Sequence, residues 1–409
     1  MHFGYRVVVA LILTSFIPLS LGLSCAGIFY PSLSLYLDVE PGLLSYYTSV
    51  LWIAALVTLP VTGKLLNNGD ARLCVTGAVV IIAAAFVWLA FTASLWQFFV
   101  AAFAIGIGVG ILLFLAPSTL INRWFHKRAG FFLGIVMAFT GVGGVVWSTV
   151  GGILIEQIGW SGTYIVFAIL SACTIPSCLF MVASHPADKG IIPVGFEGHA
   201  ENSEELVLTG ISAKAAFRMP LFYAICAACF FMNIGMYLYF MIPSYAATLS
   251  IGLEFPLLGA TASSVAMAGQ TISKLLLGAV GEGRPTVSTV VALALGIAGI
   301  LLFTFIKDSV ALFYLAAFFF GVYYGITNVM TPIFTRLGFG NKDYASIYSR
   351  VSMVASISSA SAAFIWGTII DASGSYLPLL VGDMVLIGLA IVMVVIIGAV
   401  TRRMASQVN

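Results

Sequence analysis

A chain of 409 residues that is 61% hydrophobic and 8% charged, with a mean hydropathy of +1.11, lies far outside the range of soluble domains. Its net charge of +2 says little about partners, and no nucleic-acid partner is expected. The apolar runs are about 20 residues or longer and follow one another closely, so the spanning elements are helices rather than strands.

The first run, from Arg6 to Tyr30, is basic at its front and contains Gly22-Leu-Ser-Cys25. It is too long for the apolar region of a signal peptide, and it is read as a retained span. Twelve spans are expected, at 5–36, 44–66, 72–93, 95–122, 129–156, 162–183, 219–249, 255–280, 287–306, 309–335, 344–370 and 376–400. The expected fold is an all-α membrane protein. A polar connection rich in Pro, Gly, Glu and Lys, residues 184–218, separates an N-terminal six-helix bundle, 1–183, from a C-terminal one, 219–409.

Basic residues from Arg6 and Lys64 to Arg402 and Arg403 mark one set of alternate connections and the chain ends. Asp38, Glu40, Glu156, Glu254, Asp308 and Asp371 mark the other set, with Lys307 as its only base. By the positive-inside rule both termini are cytoplasmic, in a cell membrane. The six cysteines lie mostly within spans and behave as small hydrophobes. Cys226-x-x-Cys229 lacks a second ligand pair, so no metal or other cofactor is expected. His2, His126, His185 and His199 lie outside the spans, and no histidine relay crosses the bilayer.

The halves are internal repeats. An offset of 215 carries Gly63 to Gly278, Gly106 to Gly321, Gly110 to Gly325, Pro117 to Pro332, Lys127 to Lys342, Gly152 to Gly367, Glu156 to Asp371 and Gly159 to Gly374. Parallel repeats of this kind belong to transporters that rock two halves around a site near the midplane. Gly106 with Gly110, and Gly321 with Gly325, are small-x-x-x-small pairs that let helix backbones approach.

The least expected residue is Lys274, inside the apolar eighth span and about 10 Å from its end at ~1.5 Å per residue. A cation in hydrocarbon costs at least ~2.5 kcal/mol and normally faces a wet cavity or a partner. Side chains lean toward a helix N-terminus, and the eighth span enters from outside, so Lys274 leans toward the midplane. It is read as the holder of an anionic substrate, with structural pairing as the alternative. Gln270, one turn away, shares its face. Arg350 of the eleventh span leans the other way, toward water, and is the weaker candidate for a second anion contact. Asp383 of the twelfth span is a minor candidate for carrying a proton.

Four stretches resemble the major facilitator superfamily. Gly63-Lys-Leu-Leu-Asn-Asn-Gly-Asp-Ala-Arg72 is similar to its loop between spans two and three, with Asn67 where the pattern has aspartate and Asp70 nearby as a substitute. Gly278-Ala-Val-Gly-Glu-Gly-Arg284 is a shortened copy. Asn122-Arg-Trp-Phe-His-Lys-Arg-Ala-Gly130 and Ala187-Asp-Lys-Gly-Ile-Ile-Pro-Val-Gly195 resemble the monocarboxylate transporter and oxalate-formate antiporter branch. The resemblance implies a gate built from Gly63, Asp70, Arg72, Arg123, Lys127, Arg128, Glu282 and Arg284. It also places Lys274 where that branch has a carboxylate-binding arginine, and Gln270 where monocarboxylate transporters have a proton-coupling aspartate. Spans one, four, seven and ten would line the cavity, making Tyr30, Asn233, Tyr237, Tyr324 and Asn328 candidates for shaping it. Pro31 and Pro243 would mark bends near the outer mouth.

The expected function is secondary transport of a small organic anion, a mono- or dicarboxylate, by alternating access. The coupling is proton symport or anion exchange, and the chain acts as a monomer. It is not expected to be an enzyme: the competing readings are a polytopic membrane enzyme, whose gathered acids or histidines are missing from the outer loops, and a sensor that binds without flux.

Overall fold

Proline and glycine set where the long helices bend. The computed structural model describes residues 2–39, 41–195, 210–255, 258–305 and 308–406. Glu40, His199 and Lys307, and the stretch 196–209 of the polar connection, lie outside the described residues, as does the side chain of Asp371.

The first span, α1, runs Phe3–Ser24 and resumes as Tyr30–Leu37. Pro18 has no N–H to give the preceding turn, and the chain widens there into a π-turn, Ser15–Leu19, in which the Ser20 hydroxyl donates to Ser15 O at 2.7 Å. The following spans are α2 (Pro41–Asn68), α3 (Ala71–Ala90) and α4 (Leu95–Trp124). Then come α5 and α6, which run as one segment, Ala129–Met181, with a corner at Gly159. The second half comprises α7 (Pro220–Ala247), α8 (Leu258–Val280), α9 (Pro285–Phe305), α10 (Val310–Phe339), α11 (Tyr344–Ser373) and α12 (Leu377–Ser406).

Ten segments among the described residues are long and apolar enough to cross a membrane. Ala129–Met181 counts as two because Gly159 breaks the helix at φ +74°, and α8 is long enough but more polar than the rest. No strand occurs among the described residues. Isolated bridges fasten the two ends of the polar connection, Val194 to Phe125 and Gly210 to Gly340.

The repeat offset reappears as geometry. A side chain at Gly106 would strike Leu51 O, and one at Gly321 would strike Ala266 O. One at Gly110 would meet Ala55, and one at Gly325 would meet Gln270 O. Each contact in the first half therefore maps onto its counterpart in the second at 215. Gly159 and Gly374 both adopt positive φ, +74° and +62°, at the α5–α6 and α11–α12 corners, a region glycine enters without the Cβ penalty. The α4 helix widens at Gly110–Leu115, and α10 breaks between Tyr324 and Thr327. The bends expected at Pro31 and Pro243 lie upstream of both prolines: α1 tightens into a 3-10 turn at Ala26–Phe29, and α7 breaks between Gly235 and Leu238.

Candidate functional site

The halves meet along two crossings, α2 with α11 and α5 with α8, and glycine makes both close on the face that carries the chain ends. A Cβ on Gly63 would lie 2.6 Å from Ser349 Cβ and 3.0 Å from Ala345 O. A Cβ on Gly278 would lie 2.7 Å from Gly134 Cα and 2.5 Å from Gly130 O. These contacts interchange under the offset, Gly63 with Gly278, Ser349 with Gly134 and Ala345 with Gly130. The seam is thus two-fold symmetric.

Lys274 lies on this seam and is 1% exposed. Its backbone is beside Gly134, yet its Nζ donates to Thr140 Oγ1 at 2.9 Å, six residues further along α5. At ~1.5 Å per residue the side chain therefore runs about 9 Å away from the sealed face, toward the middle of the bilayer. Thr140 in turn donates to Met137 O at 2.7 Å, and its own carbonyl accepts from Ser20 of α1 at 3.2 Å. Among the described residues no carboxylate lies within ion-pair distance of Nζ. The Lys274 amine thus has three donor positions and a single neutral partner. Gln270 is 6% exposed and turns to the same helix, beside Gly141. Close by, Trp147 Nε1 donates to Phe16 O at 2.7 Å, using a carbonyl in the π-turn of α1.

The other candidates divide. Asn233 is 8% exposed and donates to Cys229 O at 2.8 Å within its own helix. Tyr237 stands at the α7 break, and Tyr324 stacks on Tyr239 with centroids 4.9 Å apart. Tyr30 and Asn328 are half-buried. Arg350 is exposed and lies over the Phe217 ring at 5.5 Å, on the side of the polar connection and apart from Lys274. Cavities of about 380 and 370 Å³ open elsewhere, one beside Tyr245, Asp308 and Tyr376 and one beside Asn67, Asp70 and Asp188. Neither reaches Lys274.

The loop residues form two groups. Arg123 is 6% exposed and stays within its half, donating to Leu66 O at 3.0 Å and Ser184 O at 3.5 Å. Asp70 also stays there: it caps α3 through Arg72 N at 2.9 Å, accepts from the Ser184 hydroxyl at 3.0 Å and lies 4.0 Å from the Arg72 guanidinium. Lys127 packs on Gly195, Arg128 enters α5 at φ +60°, and Arg284 is exposed.

Glu282 crosses the seam. It accepts from Gly130 N at 2.8 Å, at the N-terminus of α5, and from Arg336 Nη1 at 2.9 Å, while Arg336 Nη2 donates to His126 O at 3.2 Å. Its repeat mate, Asn67, also crosses, with a long 3.5 Å contact to Asp343. Thr140, Arg336 and Asp343 were not among the sequence candidates. The offset pairs Asn67 with Glu282 but carries Asp343 to Arg128, so it does not point to Asp343.

Two matched helical halves thus meet and close on one face around the buried Lys274 side chain. The chain matches the family model of the Major Facilitator Superfamily over residues 12–363, and it belongs to that superfamily of multi-pass transporters. It is 27% identical over 256 residues to the MFS-type transporter pynF of Aspergillus niger, covering 61% of this chain and 53% of that protein. It is 25% identical over 226 residues to the uncharacterized transporter ESBP6 of Saccharomyces cerevisiae, covering 53% of this chain and 32% of that protein. The chain thus spans about half or less of the length of these relatives.

Two solved structures each cover 96% of the chain. One is the proton:xylose symporter XylE bound to 6-bromo-6-deoxy-D-glucose, with TM-score 0.72, 10% identity and 94% of that chain covered. The other is the human organic anion transporter MFSD10, with TM-score 0.70, 14% identity and 99% covered. At such identities the likeness is one of fold.

Proposed function

We propose that the chain carries a small organic anion, a mono- or dicarboxylate, by alternating access across a cell membrane with both termini cytoplasmic, and that Lys274 holds the anion. The supporting observation is the Lys274 ammonium, buried between the halves with Thr140 as its neutral partner. When the seam parts, Thr140 leaves with its half and the carboxylate takes its place, so the anion neutralises the lysine as the halves move. Gln270, Asn233, Tyr237, Tyr324, Asn328 and Tyr30 supply shape and hydrogen bonding. Coupling is proton symport or exchange, the resemblance to the monocarboxylate and oxalate-formate branch supports a carboxylate, and the carrier works as a monomer.

The Lys274–Thr140 bond also favours a second reading, in which the pair is only a latch between halves. Counterflow of radiolabelled lactate, pyruvate, oxalate and succinate into proteoliposomes separates the two. A hydrogen bond to a charged group contributes about 1.5–3 kcal/mol, so Lys274→Ala should weaken apparent affinity roughly 10- to 150-fold, with Lys274→Arg intermediate. Thr140→Val should keep counterflow. Equal losses in Lys274→Ala and Thr140→Val favour the latch, and binding without flux in the wild type favours a sensor.

A further inference from the structure

A second buried ionisable side chain lies in the structure, on the last helix and away from the seam. Asp383 sits six residues into α12, about 9 Å from its start at ~1.5 Å per residue. It is 0% exposed, and neither carboxyl oxygen has a hydrogen-bond partner. An ionised carboxylate stripped of water with no partner is prohibitively costly, so a group in this position must be neutralised by a bound cation.

The surroundings say which cation. α12 packs on α7, α9, α10 and α11. Of the titratable groups on these helices, the Tyr323 hydroxyl of α10 stands at the carboxyl's side: a Cβ on Gly235 would lie 2.6 Å from that hydroxyl and 3.5 Å from Asp383 Oδ1. Tyr323 commits its proton to Met232 O at 2.6 Å. α9 contains no ionisable residue. Cys226, Cys229 and Arg350 lie toward the face of the chain ends, and Tyr245 bonds Phe303 O. A sodium ion takes several oxygen ligands, whereas the Tyr323 hydroxyl, the group placed beside this carboxyl, is already engaged with Met232 O. A proton requires none.

The position also suggests a consequence for motion. Gly235 is the last residue of α7 before its break, and it turns about 200° from Asn233, so Asp383 lies behind the helix whose other side carries the cavity candidates. We propose that Asp383 carries the coupling proton of this transporter: protonated, it lets α7 seat against α12, and on losing the proton it draws water and α7 away. This rests on the transport reading above and adds the residue that couples transport to a proton gradient.

Two measurements on the full chain in liposomes test it, the first without any substrate. Infrared spectra should show a protonated-carboxyl C=O band in the wild type that is lost in Asp383→Asn and returns, shifted, in Asp383→Glu; an unchanged band in Asp383→Asn overturns the proposal. In the second, an inward proton gradient should drive the wild type to accumulate whichever of labelled lactate, pyruvate, oxalate or succinate it exchanges. Asp383→Asn should keep counterflow and lose accumulation at least tenfold. Gradient-driven accumulation by Asp383→Asn, or coupling of the wild type to a sodium gradient instead, overturns the proton assignment and leaves the transport reading standing. Absence of any wild-type flux with the carboxyl band in place sinks the transport reading instead.

Discussion

Replacing Gly278 by alanine should pry open the sealed face of the protein. The added methyl would lie 2.7 Å from Gly134 Cα, 3.0 Å from Gly134 N and 2.5 Å from Gly130 O. All three are backbone atoms, so no side chain can rotate aside, and α5 and α8 must separate. Overpacking of this kind costs about 1–3 kcal/mol, borne only by the sealed conformation. A coupling of that size shifts the sealed-to-parted ratio roughly 5- to 150-fold toward the parted form. Spin labels at the exposed Lys64 and Lys342, in a background lacking the six native cysteines, report the distance across that face. The expected result is a population at longer distance in Gly278→Ala and in its repeat mate Gly63→Ala. Gly152→Ala, where a Cβ meets nothing within 4 Å, should match the parent. An unchanged distribution in Gly278→Ala would refute the reasoning.

Glu282→Ala should act on the same equilibrium, since it removes the acceptor for Gly130 N and the 2.9 Å pair with Arg336. The shift corresponds to about 1.5–3 kcal/mol, and combined with Gly278→Ala it should fall short of the sum, because both perturb one contact; the same label pair reads both effects. Asp70→Ala should instead lower thermal stability by about 1 kcal/mol through loss of the α3 cap and leave the label distance unchanged, because its hydrogen bonds lie within one half.

The fold was legible because its punctuation is made of residue types with few substitutes. Gly159 and Gly374 occupy backbone conformations that side chains resist, and Gly106, Gly110, Gly321 and Gly325 sit where helix backbones nearly touch. The direction of Lys274 likewise follows from the tilt of the Cα–Cβ bond along a helix. Its partner was hidden: Thr140 is one hydroxyl in a glycine-rich span, and such hydroxyls usually bond their own helix. Arg336 and Asp343 escaped notice because their roles depend on which loop faces them across the seam. Asp383 was visible as an acidic residue, but whether a partner satisfied it depended on the four helices packed against α12.

The exchange of contacts at the seam has the form of an isologous interface, in which the same patch appears on both sides. Gly63 and its partners' counterparts, Gly130 and Gly134, all lie within the first six spans. One half therefore already holds both surfaces of the joint, as a subunit of a symmetric dimer does. The equivalence is broken at Lys274, whose counterpart at the repeat offset is Leu59, so the charge belongs to one half alone.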